Sequence, residues 1–178
     1  MRPMLGADPL SHSLRPGWTF EPKYNGWRAM LDTSSGKLYN RKRERLSIEK
    51  ELKGAVEQLV TLFPNAWLDC EGLERRHEIG RGTLILLDIC EFTPYDKRRE
   101  QVSIVPQLAL SELPKTGAIY SAPSAMKLDL HTMLDFNKKV GAVFYEGAVA
   151  KKVSSIYRQE RSEKETHDWS KHRFIKPL

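Results

Sequence analysis

The spacing of hydrophobic positions changes along the chain, and each change marks an element. Residues 18–23, 27–32 and 37–41 mix apolar and polar positions in short runs separated by the turn signals Asn25-Gly26 and Ser35-Gly36, and read as three successive strands. A helical spacing follows. Ile48, Leu52, Ala55, Val56, Leu59 and Phe63 fall on one face of a helix that Ser47 caps, with Glu49 and Glu51 near its positive end and Pro64 at its stop. Residues 67–69 and 84–89 are short, apolar and strand-like. Residues 97–110 predict a helix in two pieces broken at Pro106. A short strand at 118–121, a helix at 131–140, and strands at 143–153 and 173–176 complete the series. The charged run 158–168 reads as a solvated surface loop. There are no repeats, and the pattern predicts an α+β fold, with residues 1–178 forming one domain.

Composition narrows the class of partner. At 178 residues the chain can bury a proper core. Its net charge of +6 suits a polyanion, although charge alone decides little. Cys70 and Cys90 both sit in apolar stretches, where core thiols are expected rather than a disulfide. The sequence has no signal peptide and no apolar run that spans a bilayer, so a reducing, intracellular (cytoplasmic) setting without a membrane is expected.

The candidate chemistry begins at Glu21-Pro22-Lys23-Tyr24-Asn25-Gly26-Trp27-Arg28. A lysine at the end of a strand can attack a phosphate once its amine is neutral. Gly26 permits a tight turn beside it, and Arg28 can fork two hydrogen bonds onto a phosphate. Alone, such a run is more often a hairpin turn. Downstream, Leu68-Asp69-Cys70-Glu71-Gly72 ends a strand in carboxylates, and residues 83–89 carry Asp88. Tyr145 to Lys152 holds Glu146 and Lys151, which face the same way only if a twist or bulge intervenes. Ser155-Ile156-Tyr157 and Trp169-Ser170-Lys171-His172-Arg173 close the series. Arg41, Lys42, Arg43 and Arg45 form a basic cluster, Asp88 either binds substrate or caps its strand, and Arg98 and Arg99 are expected to form surface ion pairs with Asp96 and Glu100.

These motifs, in this order, resemble the nucleotidyltransferase domain of polynucleotide ligases and mRNA capping enzymes, and most closely the ATP-dependent DNA ligases. Further matches are Arg2-Pro3-Met4-Leu5 near the start and the run from Pro94 to Glu100. The resemblance implies twisted antiparallel sheets flanked by helices. It implies Lys23 as the nucleophile that forms a lysyl-adenylate from ATP. It also implies nucleotide contacts from Glu21, Arg28, Arg41, Glu71, Lys151 and Lys171, Mg²⁺ held by Glu146, and nucleic-acid contacts from Arg41, Lys42, Arg43, Arg45 and Arg173. The implied substrate is nicked duplex DNA, with RNA as the alternative strand and a non-catalytic nucleic-acid-binding module as the rival class. Three departures stand out. Asn25 replaces an acid, Leu87 replaces an aromatic that stacks on adenine, and the sequence holds no residues for the usual OB-fold domain, so the expectation is an isolated catalytic core, a natural minimal enzyme or a protein completed by a partner.

Overall fold

The computed structural model describes residues 16–47, 49–73, 78–157 and 168–174. The opening at Arg2 to Leu5, the helical position Ile48, the charged run 158–167 and the end of the strand expected at 173–176 lie outside the described residues. The described elements are β1 (Trp18–Tyr24), β2 (Trp27–Asp32), β3 (Lys37–Tyr39), α1 (Glu49–Leu62), β4 (Trp67–Leu73), β5 (Thr83–Ile89), α2 (Tyr95–Val102), β6 (Ile119–Ser121), α3 (Leu130–Val140), β7 (Tyr145–Lys152) and β8 (Trp169–Arg173).

They form two sheets. A five-stranded sheet runs β3-β2-β4-β5-β6, and a three-stranded sheet runs β1-β7-β8. The β1–β2 and β2–β3 turns do not give both pairs the same fate. β2 pairs with β3 as the short turn dictates, but β1 leaves β2 and pairs with β7, so the Asn25-Gly26 turn passes the chain from one sheet to the other. The expected all-antiparallel arrangement is corrected at β5–β6, which pair in parallel. Parallel neighbours need a crossover, and the long connection through α2 provides it.

Two apolar layers flank the larger sheet. Leu52, Ala55, Val56, Leu59 and Phe63 of α1 and its end pack on Ala29, Leu31, Leu68, Cys70, Leu84 and Leu86. On the other side Ile85 joins Phe20, Tyr24, Met133, Phe136, Phe144, Tyr145, Ala148 and Ala150. Each of the larger side chains stabilises the fold by roughly 1.5–3 kcal/mol when fully buried. β5 is buried on both faces, which explains its unbroken apolar run.

Two element predictions are corrected. The helix expected from 97 starts earlier, at Tyr95, and stops at Val102, and the piece beyond Pro106 is not helical. Those residues instead line β6, where the Ser121 N–H donates to the Pro106 carbonyl at 2.8 Å and Leu108 N–H to the Ser121 carbonyl at 3.1 Å. Tertiary pairing outweighs local helix preference there. Among the described residues the last strand is Trp169–Arg173, so it begins before the expected 173, with Trp169 opposite Lys151 and Arg173 opposite Gly147.

Candidate active site

One cleft opens between the two sheets. β1 supplies Glu21 and Lys23, β2 Arg28, β4 Glu71 and β5 Leu87. β7 supplies Glu146, Val149 and Lys151, β8 supplies Trp169, Lys171 and Arg173, and the loop after β3 supplies Arg41. The alternation along β1 sends Glu21 and Lys23 to one face. Along β7 the alternation is broken. Lys23 pairs with Gly147 and Tyr24 with Tyr145, so Glu146 is the extra residue of a β-bulge. The bulge turns Glu146 onto the cleft beside Val149 and Lys151, and its carboxylate meets the Lys23 ammonium. Arg173 Nε lies 3.6 Å from the same carboxylate.

Two glycines allow this closeness. A Cβ on Gly26 would come within 2.5 Å of the Gly72 carbonyl, and the bare Gly26 N–H donates to Glu71 Oε1 at 3.0 Å. A Cβ on Gly147 would sit 1.8 Å from the His172 carbonyl, so β7 and β8 approach only because that position has none.

The cleft is crowded with positive charge. Burial, and then Arg28, Arg41 and Lys23, pull the Lys171 amine down to about 6. Burial and Arg28 also lower Arg41. Burial raises Glu71 above the usual carboxylate range, against the pull of Arg28 and Lys23. Cations that repel one another at a shared opening are poised for an anionic ligand, which would relieve the repulsion.

Several of the expected ligand groups are held by partners within the protein. Both arms of the Arg28 fork are taken by Asp69, whose carboxylate also accepts from Tyr157 Oη at 2.8 Å, and this pairing outweighs burial to raise Arg28 further. Asp69 and Tyr157 stood in quoted motifs, and the period-two alternation already put Asp69 on the face of Glu71. Lys151 is 1% exposed. Its ammonium lies 2.9 Å from Glu21, 3.0 Å from the Leu87 carbonyl, 3.6 Å from Asp88 and 4.2 Å from the Trp169 ring centre. Glu21 also accepts from Tyr95, which stands in the ligase-like run from Pro94 to Glu100 but carries no expected role there.

The surface ion pairs expected of Arg98 and Arg99 are corrected. Arg98 is fully buried and forks onto Asp88 at 2.7 and 3.1 Å, which makes Asp88 a structural anchor. Arg99 donates to the Ala122 carbonyl at 2.8 Å and lies 3.9 Å from Glu21. Of the basic cluster, Arg41 alone lines the cleft. Lys42, Arg43 and Arg45 are exposed on a loop that Asn40 organises by accepting from the N–H groups of Lys42 and Glu44.

Comparison with solved structures gives the architecture a precedent. A mycobacterial DNA ligase D complexed with ATP superposes with a TM-score of 0.60 at 19% identity, over 97% of this chain and 60% of that one. Lig E DNA ligases, described as binding DNA with a minimal scaffold, give 0.54 at 12% identity over 97% and 69%. The ligase domain of M. tuberculosis LigD gives 0.50 at 18% identity over 88% and 53%. The fold is that of a DNA ligase domain. The chain spans roughly half to two thirds of these ligase structures. No family model matches the sequence, and no curated protein matches it.

Within this ligase fold the donor set bears on a metal. Among the described residues no group of three or more His, Cys, Asp or Glu converges. Mg²⁺ takes one or two carboxylates and completes its shell with water and substrate phosphates, and Glu146 puts one carboxylate on the cleft. Among the described residues no helix is long and apolar enough to cross a membrane.

Proposed function

We propose that this chain is the nucleotidyltransferase domain of an ATP-dependent DNA ligase, with Lys23 as its nucleophile. One observation carries the reading. The cleft of a DNA ligase fold gathers Lys23, Glu71, Glu146, Lys171 and Arg173 from strands of both sheets, so residues far apart in sequence meet at one opening.

Attack needs a neutral amine, so the Lys23–Glu146 contact is given up first, and the proton passes to water. The amine lone pair then forms a bond to the α-phosphorus of ATP. The bond to the bridging oxygen breaks and pyrophosphate leaves. In the next steps AMP passes to the 5′-phosphate of a nick, and the neighbouring 3′-hydroxyl displaces it. Lys171 and Arg41 neutralise phosphate oxygens, and Glu71 holds the ribose hydroxyls. Arg28, fixed by Asp69, acts as a positive wall of the site. Mg²⁺ held by Glu146 together with phosphate oxygens would neutralise charge as it builds on the transferred group. Lys42, Arg43, Arg45 and Arg173 contact the sugar–phosphate backbone of a nicked duplex.

The test is intact-mass spectrometry after incubation with ATP and Mg²⁺. An AMP adduct is expected, and Lys23→Ala abolishes it. Glu146→Ala loses most of it, whereas Glu91→Ala, which removes only a partner of Gln101, leaves it. An adduct that persists in Lys23→Ala overturns the assignment of the nucleophile.

A further inference from the structure

Glu146 meets Lys23 through a bulge, and a bulge aims its residue only as well as the backbone on each side is held. On the far side, Gly147 is pressed against β8, and the Phe174 N–H donates to the Glu146 carbonyl at 2.9 Å. On the near side, the chain from Val143 to Tyr145 is held by two asparagines from different parts of the fold. Asn25, two residues after Lys23, donates from Nδ2 to the Val143 carbonyl at 2.8 Å, and its own N–H donates to the Phe144 carbonyl at 2.9 Å. Asn137, on α3, accepts from the N–H groups of Phe144 at 3.0 Å and Tyr145 at 2.9 Å, and donates to the Tyr145 carbonyl at 2.8 Å. Only a side chain with a donor and an acceptor on one group can do what Asn137 does.

We propose that Asn25 and Asn137 are positioning residues that clamp the start of β7 and so aim Glu146 at Lys23; the inference rests on the ligase reading of the cleft. Neither side chain lines the cleft. Asn25 ties the turn that carries Lys23 to the same three residues that precede Glu146, so one clamp sets both members of the pair. This gives the departure at position 25 a physical reason. The acceptor there is a carbonyl, and aspartate would set a second oxygen against it with no hydrogen to share. In this chain the amide serves as a donor to that carbonyl.

The test compares Asn25→Asp with Asn25→Ser, which keeps a donor, and with Asn137→Asp. Single-turnover formation of the lysyl-AMP adduct is measured against ATP concentration, with thermal melting as the check on folding. Asn25→Asp is expected to slow the maximal rate on the order of tenfold, because small misplacements of reacting groups are costly, while the ATP concentration at half-maximal rate stays within about twofold. Asn25→Ser should recover part of the loss, and Asn137→Asp should show the same split between rate and nucleotide affinity. A wild-type rate in Asn25→Asp overturns the inference and leaves the ligase reading standing. So does a loss in which rate, nucleotide affinity and melting temperature all fall together. If the unaltered chain forms no adduct, the ligase reading falls and the inference falls with it.

Discussion

Lys171 shows how a single side chain can report on the whole cleft. Burial and three neighbouring cations hold its amine near 6, well below the ordinary lysine value of 10.5. The folded chain therefore binds fewer protons than the unfolded chain between those two pH values, and stability rises with pH across that window. The contribution is complete above 10.5 and is withdrawn as pH falls toward about 6. A bound phosphate would reverse the balance by favouring the ammonium. At pH 7.5 we expect binding of AMP or pyrophosphate to take up close to one proton, read by calorimetry in buffers of different ionisation enthalpy. Lys171→Met should remove that uptake. Heats that are identical in all buffers for the unaltered chain would refute the role given to Lys171.

At the scale of elements, α2 is anchored from within. Arg98 is fully buried, forks onto Asp88, and donates to the carbonyls of Thr93 and Ser155. Removing one partner of a buried pair costs about 3–5 kcal/mol where the other charge is left uncompensated, and here Asp88 would keep only the more distant Lys151, at 3.6 Å. Arg98→Ala should lower stability by that order in urea unfolding, whereas an exposed ion pair would be worth about 1 kcal/mol at most. Gly147→Ala is expected to be worse tolerated than Gly54→Ala. The first puts a methyl into the His172 carbonyl, while the second meets nothing closer than 3.9 Å and gains helix preference. Thermal melting of the two variants decides the comparison.

These two elements also mark where the sequence was legible. The parity conflict between Glu146 and Lys151 could be read directly, because strand alternation is rigid and two residues five positions apart cannot share a face without a bulge. The face of α1 was equally plain from its spacing. Arg98 was not legible. A short helix of alternating charges looks solvated, and only the approach of Asp88 and Ser155 from other elements shows that it is buried. The same holds for Arg28 and Lys151. Their residue types suggested phosphate ligands, but which carboxylate each cation meets is decided by the packing of two sheets.

For the molecule as a whole, charge should govern the encounter with nucleic acid. The net charge of +6 is modest, but Arg41, Lys42, Arg43 and Arg45 are concentrated on one loop beside the cleft. Binding to nicked duplex DNA should fall linearly in log–log terms with salt, and Lys42→Ala or Arg43→Ala should each reduce the slope by about one without changing sequence preference. Fluorescence anisotropy over a salt series, with nicked RNA duplex in parallel, checks this. A slope that both substitutions leave unchanged would remove the loop from the interface.

The pairing of β1 with β7, and of β7 with β8, sets a timetable. Lys23 and the carboxylate it meets are separated by 123 positions, and the strand that carries Lys171 and Arg173 comes later still. At about 5–20 residues per second, a ribosome needs several seconds to tens of seconds to make that intervening stretch. Throughout that interval the nascent chain displays Lys23 with no opposing wall, so no cleft exists to hold a nucleotide against it. In the proposed reading Lys23 meets its nucleotide only after β8 has docked, so docking of that strand would switch the site on.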